Sequence, residues 1–200
     1  MGNTDQFDRI AERYDTPERI HVAKVSADAI RKYLVDAKTK HAIDFGCGTG
    51  LVGLDLATEF ASVLFLDTSP NMIEQIKQKI ADLSISNADT LCFDFEKESL
   101  PELHVDYIFM VQVLLHIPDI QPVLTRLFDV LKEGGHLLIV DFDKNDNIAS
   151  DLVHNGFHQL ELAGTLQEIG YQDIRSEVFY SADNLFMGQE ASMFILDCRK

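Results

Sequence analysis

The sequence predicts a doubly wound α/β domain: a mostly parallel sheet, an antiparallel C-terminal strand and an N-terminal helical cap. Three observations predict it. Short apolar runs alternate five times with amphipathic stretches, the pattern of a parallel sheet covered by helices on both faces. Ser62-Val-Leu-Phe-Leu66 is apolar without alternation, as a strand buried on both faces is. The last two strand-like runs, near 172–181 and 191–198, leave no room for a crossover helix, so they read as an antiparallel pair.

The elements follow in order. Residues 18–35 set Ile20, Ala23, Ala27, Ile30 and Leu34 at helical spacing. Ala42–Phe45 is a strand that runs into glycines, and 51–58 is a helix. After the strand at 62–66, Ser69 is an N-cap and Pro70 a first helical residue. Met72, Ile73, Ile76, Ile80 and Leu83 form that helix's stripe. Strands are expected at 90–93 and 105–113, and a helix at 120–131 with Gly134-Gly135 closing it. A strand at 136–142 and a helix at 157–169, ended by Gly170, complete the alternation. The whole chain, 1–200, reads as one domain, with 1–36 as the cap and 141–160 as a short lid segment.

Composition narrows the function. The 200 residues carry 46% apolar and 25% charged side chains, ordinary for a soluble globular protein, and no apolar run is long enough to span a membrane. The N-terminus carries acids and no apolar stretch, so it does not read as a secretory signal. The net charge of −16 opposes nucleic-acid binding, which needs a positive footprint. The charge is uneven: residues 1–40 hold 8 Lys or Arg against 7 Asp or Glu, and the rest hold 9 against 26. A solvated, solubilising surface accounts for such an excess equally well. Cys47, Cys92 and Cys198 show no CxxC spacing, which points to a reducing, cytoplasmic setting and away from a zinc site.

Four segments at strand ends carry the chemistry, where open α/β sheets bind ligands. The first is Asp44-Phe-Gly46-Cys47-Gly48-Thr49-Gly50. Alternate glycines let a ligand approach the backbone without meeting a Cβ. The acid two residues ahead would repel a pyrophosphate and attract an ammonium or sulfonium. Glycines also mark plain tight turns. The second is Asp67, 17 residues past Gly50, followed by Thr68 and Met72. A carboxylate there can accept from two ribose hydroxyls, although it reads equally as a helix cap. The third is Asp94-Phe95, suited to an adenine amino group and ring, or else to a solvated turn. The fourth runs from Asp106 through Gln112 to His116 and Asp119, and would put polar groups beside the reacting atoms. His116 is also readable as a loop or capping histidine.

In this order and spacing the segments resemble the class I S-adenosylmethionine-dependent methyltransferases, in particular the small-molecule group that includes ubiquinone and menaquinone biosynthesis enzymes. Phe7-Asp-Arg-Ile-Ala-Glu-Arg-Tyr14-Asp15 and Leu131-Lys-Glu-Gly-Gly-His-Leu-Leu-Ile-Val-Asp-Phe142 extend the match, which covers about residues 5–142. The resemblance implies a Rossmann-like sheet with S-adenosylmethionine as cofactor and S-adenosylhomocysteine as product. It implies that Gly46, Cys47, Gly48, Thr49 and Gly50 lie along the methionine part, supported by Asp44, Gln112 and Tyr14. Asp67, Thr68 and Met72 would hold the ribose and adenine side, with Asp94 and Phe95 on adenine. Cys92 and Glu133 depart from the family's usual residues at structural positions.

Methyl transfer from a sulfonium needs mainly alignment, so a general base matters only where the acceptor loses a proton. His116 is the candidate base. Tyr14, His116, Phe142, His154 and Phe157 are the expected acceptor pocket, with Asp141 and His158 nearby, although Phe157 also reads as a plain helix staple. A missing [DN]-P-P-[YF] run and the absence of a Pro-Cys dipeptide turn the expectation toward a small-molecule acceptor, a monomer or homodimer, and no nucleic-acid or membrane partner. Two rival functions remain: a non-catalytic cofactor binder and a nicotinamide-dependent oxidoreductase.

Overall fold

A computed structural model describes residues 4–94, 103–150 and 152–200. Seven strands form one sheet in the order β3-β2-β1-β4-β5-β7-β6. They are β1 His41–Phe45, β2 Ser62–Asp67, β3 Ala88–Cys92, β4 Val105–Val111, β5 Leu131–Phe142, β6 Gln172–Phe186 and β7 Gln189–Arg199. The pairs from β3 to β5 are parallel, and β7 runs antiparallel between β5 and β6. Strand order reverses between β1 and β4, and this switch point fixes where a crevice can open.

The helices are α1 Thr4–Ile10, α2 Pro17–Arg31, α3 Leu51–Leu56, α4 Pro70–Asp82, α5 Ile120–Val130 and α6 Gln159–Ile169. Local chemistry starts the two best-defined ones. Thr16 and Ser69 accept from the N–H groups of Arg19 and Met72, and Pro17 and Pro70 follow in the first turn. β1, β2, β4 and β5 bury most of their residues, with Ile43, Phe45, Phe65, Leu66, Ile108 and Phe109 fully enclosed. None of the described helices is long and apolar enough to cross a membrane.

Two expectations fail in detail. Gly134-Gly135 does not close α5. Leu131 already has extended backbone and pairs with Val105, so β5 begins at once and carries the glycines. Gly135 is there for close approach, since a Cβ would lie 2.9 Å from the Lys132 carbonyl oxygen. The final hairpin is also longer than expected. β6 runs to Phe186, and Met187 and Gly188, both at positive φ (51° and 76°), make a two-residue turn into β7. The hairpin tip therefore reaches past the sheet's edge toward the carboxyl ends of β1 and β4.

Candidate active site

The glycine loop begins where β1 ends. Gly46 and Cys47 donate their N–H groups to the Leu66 carbonyl of β2 (2.8 and 3.0 Å), which pins the turn to the sheet. Gly46, Gly48 and Gly50 all take positive φ, at 69°, 53° and 80°. Only glycine adopts this backbone without strain. The three differ in surroundings. A Cβ on Gly46 would strike Val113 at 2.6 Å, and one on Gly50 would strike Ile76 at 2.3 Å. A Cβ on Gly48 would meet only Tyr14, at 3.9 Å, so it would fill the space between loop and Tyr14.

Two cavities open along this loop. The larger, about 690 Å3, runs from Asp44, Gly46, Cys47, Gly48 and Thr49 past Gln112 and His116 to Phe142 and the hairpin tip. The smaller, about 60 Å3, lies between the loop and the N-terminal segment. Thr4, Phe7, Tyr14, Asp67, Thr68, Met72 and Gln112 line it. Tyr14, Gly46, Gly48, Gln112 and His116 border both.

Asp44 is the unusual group. It is 3% exposed and lines the larger cavity. Its Oδ2 is buried and has no hydrogen-bond partner among the described residues. Burial, opposed by the Gly53 backbone N–H and reinforced by the charge of nearby Asp67, pushes its carboxyl up to about 8. A buried carboxylate oxygen with no donor is costly unless a cation or donor meets it. A ligand ammonium beside the loop would do so. An amino-acid end with the glycine cradle along its chain thus fits these residues.

Asp67 has different work. Its Oδ2 accepts from Gly48 N–H (2.8 Å) and its Oδ1 from Ser69 N–H (2.9 Å). It braces the loop against the start of α4, and its remaining lone pairs are available to the smaller cavity. Burial raises its pKa, against the pull of those N–H groups. Cys47 is half-buried, and desolvation pushes its thiol well up, so it lines the cavity without thiolate character. Gln112 holds the left-handed backbone at φ 55°, rare outside glycine, and its N–H bonds the Val140 carbonyl.

The N-terminal segment is tied down by carboxylates. Asp8 accepts from Ser69 Oγ (2.7 Å) and Asn71 N–H (3.0 Å). Asp15 accepts from Thr49 Oγ1 (2.5 Å) and Lys79 Nζ (2.6 Å). Thr4 and Thr68 share a hydroxyl bond of 3.0 Å. His116 ends a 3-10 turn, Leu114–His116, with the Phe7 ring edge-on at 4.9 Å. Burial lowers its imidazole to about 4, so it is neutral at physiological pH.

The structure redistributes several expected site residues. Gly50 lines neither cavity, because it sits against Ile76 and lets α3 start close to α4. Asp94, just past β3, lines neither as well, and Phe95 lies outside the described residues. Phe142 lines the larger cavity, whereas His154 faces a separate cleft that it shares with His116. Phe157 lines none of the three, since its backbone pairs with Phe142 and Lys144 and draws it onto β5. Asp141 is fully buried and also lines none. It accepts from Phe142 and Leu115 N–H and so braces the turn that carries His116.

Three contributions escaped the sequence reading. Arg19 borders the larger cavity, its guanidinium 4.2 Å above the Tyr14 ring and its Nη1 bonded to the Tyr14 carbonyl (3.0 Å). Gly53 lies so close to Asp44 that a Cβ would come 2.3 Å from Oδ2. The hairpin tip, including Tyr180, Leu185 and Phe186, forms the far wall. A glycine three residues past the loop was a visible signal for the second; the others depend on tertiary folding.

Comparison with known proteins agrees with this geometry. Residues 43–137 match the family described as "Methyltransferase domain". Trans-aconitate 2-methyltransferase of Methylobacterium radiotolerans is 36% identical over 110 residues, covering 54% of this chain and 39% of the relative. The ubiquinone biosynthesis O-methyltransferase of Coxiella burnetii is 31% identical over 111 residues, covering 56% and 47%. The chain spans less than half the length of these curated relatives. A S-adenosylmethionine-dependent methyltransferase structure from Aquifex aeolicus superposes with a TM-score of 0.72 at 20% identity, over 96% of this chain and 97% of that one. Residues 43–137 thus resemble a methyltransferase domain, and the chain shares its fold with the Aquifex aeolicus S-adenosylmethionine-dependent methyltransferase structure.

Proposed function

We propose that the protein binds S-adenosylmethionine and transfers its methyl group to a small-molecule acceptor. The observation that carries this reading is the unpartnered, buried Asp44 Oδ2 beside the glycine cradle at the sheet's switch point. Asp44 would hold the cofactor's ammonium. Arg19, beside Tyr14 and Gly48, would face its carboxylate. Gly46, Gly48, Cys47 and Thr49 would line the methionine chain, with Gln112 on the opposite side. Asp67, Thr68 and Met72 would hold the ribose and adenine in the smaller cavity. When bound, the cofactor supplies a methyl group on a sulfonium, a strong leaving group. The chain's own task is to hold the acceptor in line with it and keep water out. The domain would be one unit, with 1–36 as its cap and 141–160 as a short lid. Three unbridged cysteines support a cytoplasmic setting, and the charge of −16 supports a partner other than nucleic acid.

A labelled-methyl transfer assay across a panel of metabolites tests the reading. Transfer to a small acceptor is expected. S-adenosylmethionine binding without transfer to any of them would favour the non-catalytic binder. Where the acceptor must lose a proton, His116→Ala should lower kcat about 100-fold or more. Because His116 is neutral above about pH 4, that activity should not fall between pH 8 and pH 6 through this residue. Unchanged turnover in His116→Ala would remove it from the mechanism.

The smaller cavity, about 60 Å3, is several times too small for an adenosyl group, since ligand pockets run from roughly 300 Å3. The segment bearing Thr4, Phe7 and Tyr14 would therefore swing outward to admit the cofactor. Asp15→Ala, which releases Thr49 and Lys79, should speed both association and dissociation of S-adenosylhomocysteine several-fold in stopped-flow measurements. Equal rates in wild type and variant would mean that the segment does not gate entry.

A further inference from the structure

We propose that the acceptor is an uncharged small molecule with an apolar body, held by the wall that the β6–β7 hairpin and α2 build opposite the glycine loop, with the His21–Tyr180 pair as its polar anchor. This rests on the cofactor reading above, because it assigns the glycine-loop end of the cavity to the cofactor.

The shape of the wall comes from the hairpin. Its tip is folded back by the Met187-Gly188 turn. Phe186 is buried against Phe142 in a parallel stack, centroids 4.1 Å apart and planes at 6°. Leu185 and, from α2, Val22 continue the same apolar surface. Burying such a surface favours an acceptor that is itself apolar over most of its area.

Charge then narrows the class. The charged side chains that line the cavity are Glu18, Arg19, Asp44 and Asp183. Arg19 lies at the cofactor end, stacked on Tyr14 and bonded to its carbonyl. Asp44 closes β1 under the loop. Glu18 and Asp183 are exposed at the mouth. With Arg19 assigned to the cofactor's carboxylate, the rest of the wall offers no Lys or Arg to an acceptor carboxylate or phosphate. An anion would pass two carboxylates and then lose its water without compensation, in a chain of net charge −16. A cation fares little better, since the mouth carboxylates are solvated and the buried one is taken by the cofactor.

Besides Asn184 and the mouth carboxylates, a hydrogen-bonded pair gives the wall a polar point. His21 Nε2 and Tyr180 Oη lie 3.1 Å apart and bridge α2 to β6 at the cavity's open side, with His21 exposed and Tyr180 half-buried. A hydroxyl both donates and accepts, so with one site engaged by His21 the other remains for a ligand hydroxyl, carbonyl or amide. That suits a single hydrogen-bonding group on an otherwise apolar molecule.

Calorimetric titration of the protein saturated with S-adenosylhomocysteine tests this, using three uncharged probes (2-methoxyphenol, 2-phenylethanol and acetanilide) and one trianion, trans-aconitate. Saturable binding of at least one uncharged probe is expected, with no binding of trans-aconitate. Tyr180→Phe and His21→Ala should each weaken the bound probe about fivefold or more and leave S-adenosylhomocysteine affinity unchanged. Binding of S-adenosylhomocysteine with tighter uptake of trans-aconitate, with no uptake of any uncharged probe, or with uptake indifferent to both variants overturns the acceptor assignment alone. Failure of S-adenosylhomocysteine itself to bind overturns the cofactor reading beneath it.

Discussion

Asp44→Asn should weaken S-adenosylhomocysteine binding about 30-fold or more, because removing one partner of a buried charge pair costs roughly 2–5 kcal/mol. The substitution keeps the shape and removes the charge, so the fold should persist. Wild-type Asp44 carries a proton in the ligand-free protein up to about pH 8, whereas in an unfolded chain it ionises near 4. Its contribution to stability is therefore fully present below about pH 4 and is lost as pH rises through about 8. A ligand ammonium needs the ionised form. Affinity should thus rise from pH 6 to pH 8, with a proton released on binding. Calorimetry in buffers of different ionisation enthalpy reads that proton directly. Asp44→Asn should lose the Asp44 share of this slope and should be less destabilised than wild type at pH 8. Unchanged affinity and an unchanged proton count in the variant would remove Asp44 from the site.

Gly53→Ala should damage the fold and the site together. In an ordinary helix the change adds up to about 1 kcal/mol of stability through backbone propensity. Here the new Cβ would lie 2.3 Å from Asp44 Oδ2 and 2.4 Å from Phe65 Cε1. Phe65 is fully buried in β2 and has no room to retreat. Overpacking of this kind costs about 1–3 kcal/mol, so strain outweighs propensity. A net loss of about 1–2 kcal/mol corresponds to a fall in Tm of roughly 3–6 °C for a domain of this size. S-adenosylhomocysteine affinity should fall as well, since the carboxylate is displaced. A variant with wild-type Tm and affinity would show that α3 shifts freely on the sheet, against the tight packing described.

Much of the fold was legible because local chemistry and tertiary need agree. Ser69-Pro70 both starts α4 and braces Asp67. The continuous apolar run of β2 follows from burial on both faces. The hairpin was less legible because β6 is an edge strand, exposed along much of its length, so no two-residue alternation marks it. Its last residues, Ala182-Asp-Asn-Leu-Phe186, carry turn chemistry, and Asn184 has positive φ at 57°. Gly134-Gly135 misled for the opposite reason: glycine marks both a helix stop and a close strand approach, and only the neighbouring Asp106 and Lys132 backbone decides between them.

The site divides along the same line. The placing of Asp44, Gly46, Gly48 and Asp67 along the cavities was readable because each answers a local demand of the loop or strand end. Gly50 lies outside both cavities, and sequence does not show this because a positive-φ glycine looks the same whether it faces a ligand or Ile76. Arg19 and Tyr180 come from distant segments, and only the closed fold brings α2 and the hairpin to the same cavity.

On this reading the glycine loop and Asp44 would hold an amino-acid-bearing nucleoside and not a dinucleotide. Titration calorimetry of the purified protein with S-adenosylhomocysteine and, separately, with NADH decides between the two. One saturable S-adenosylhomocysteine site per chain and no NADH binding is the predicted result. Tight NADH binding without S-adenosylhomocysteine binding would contradict it.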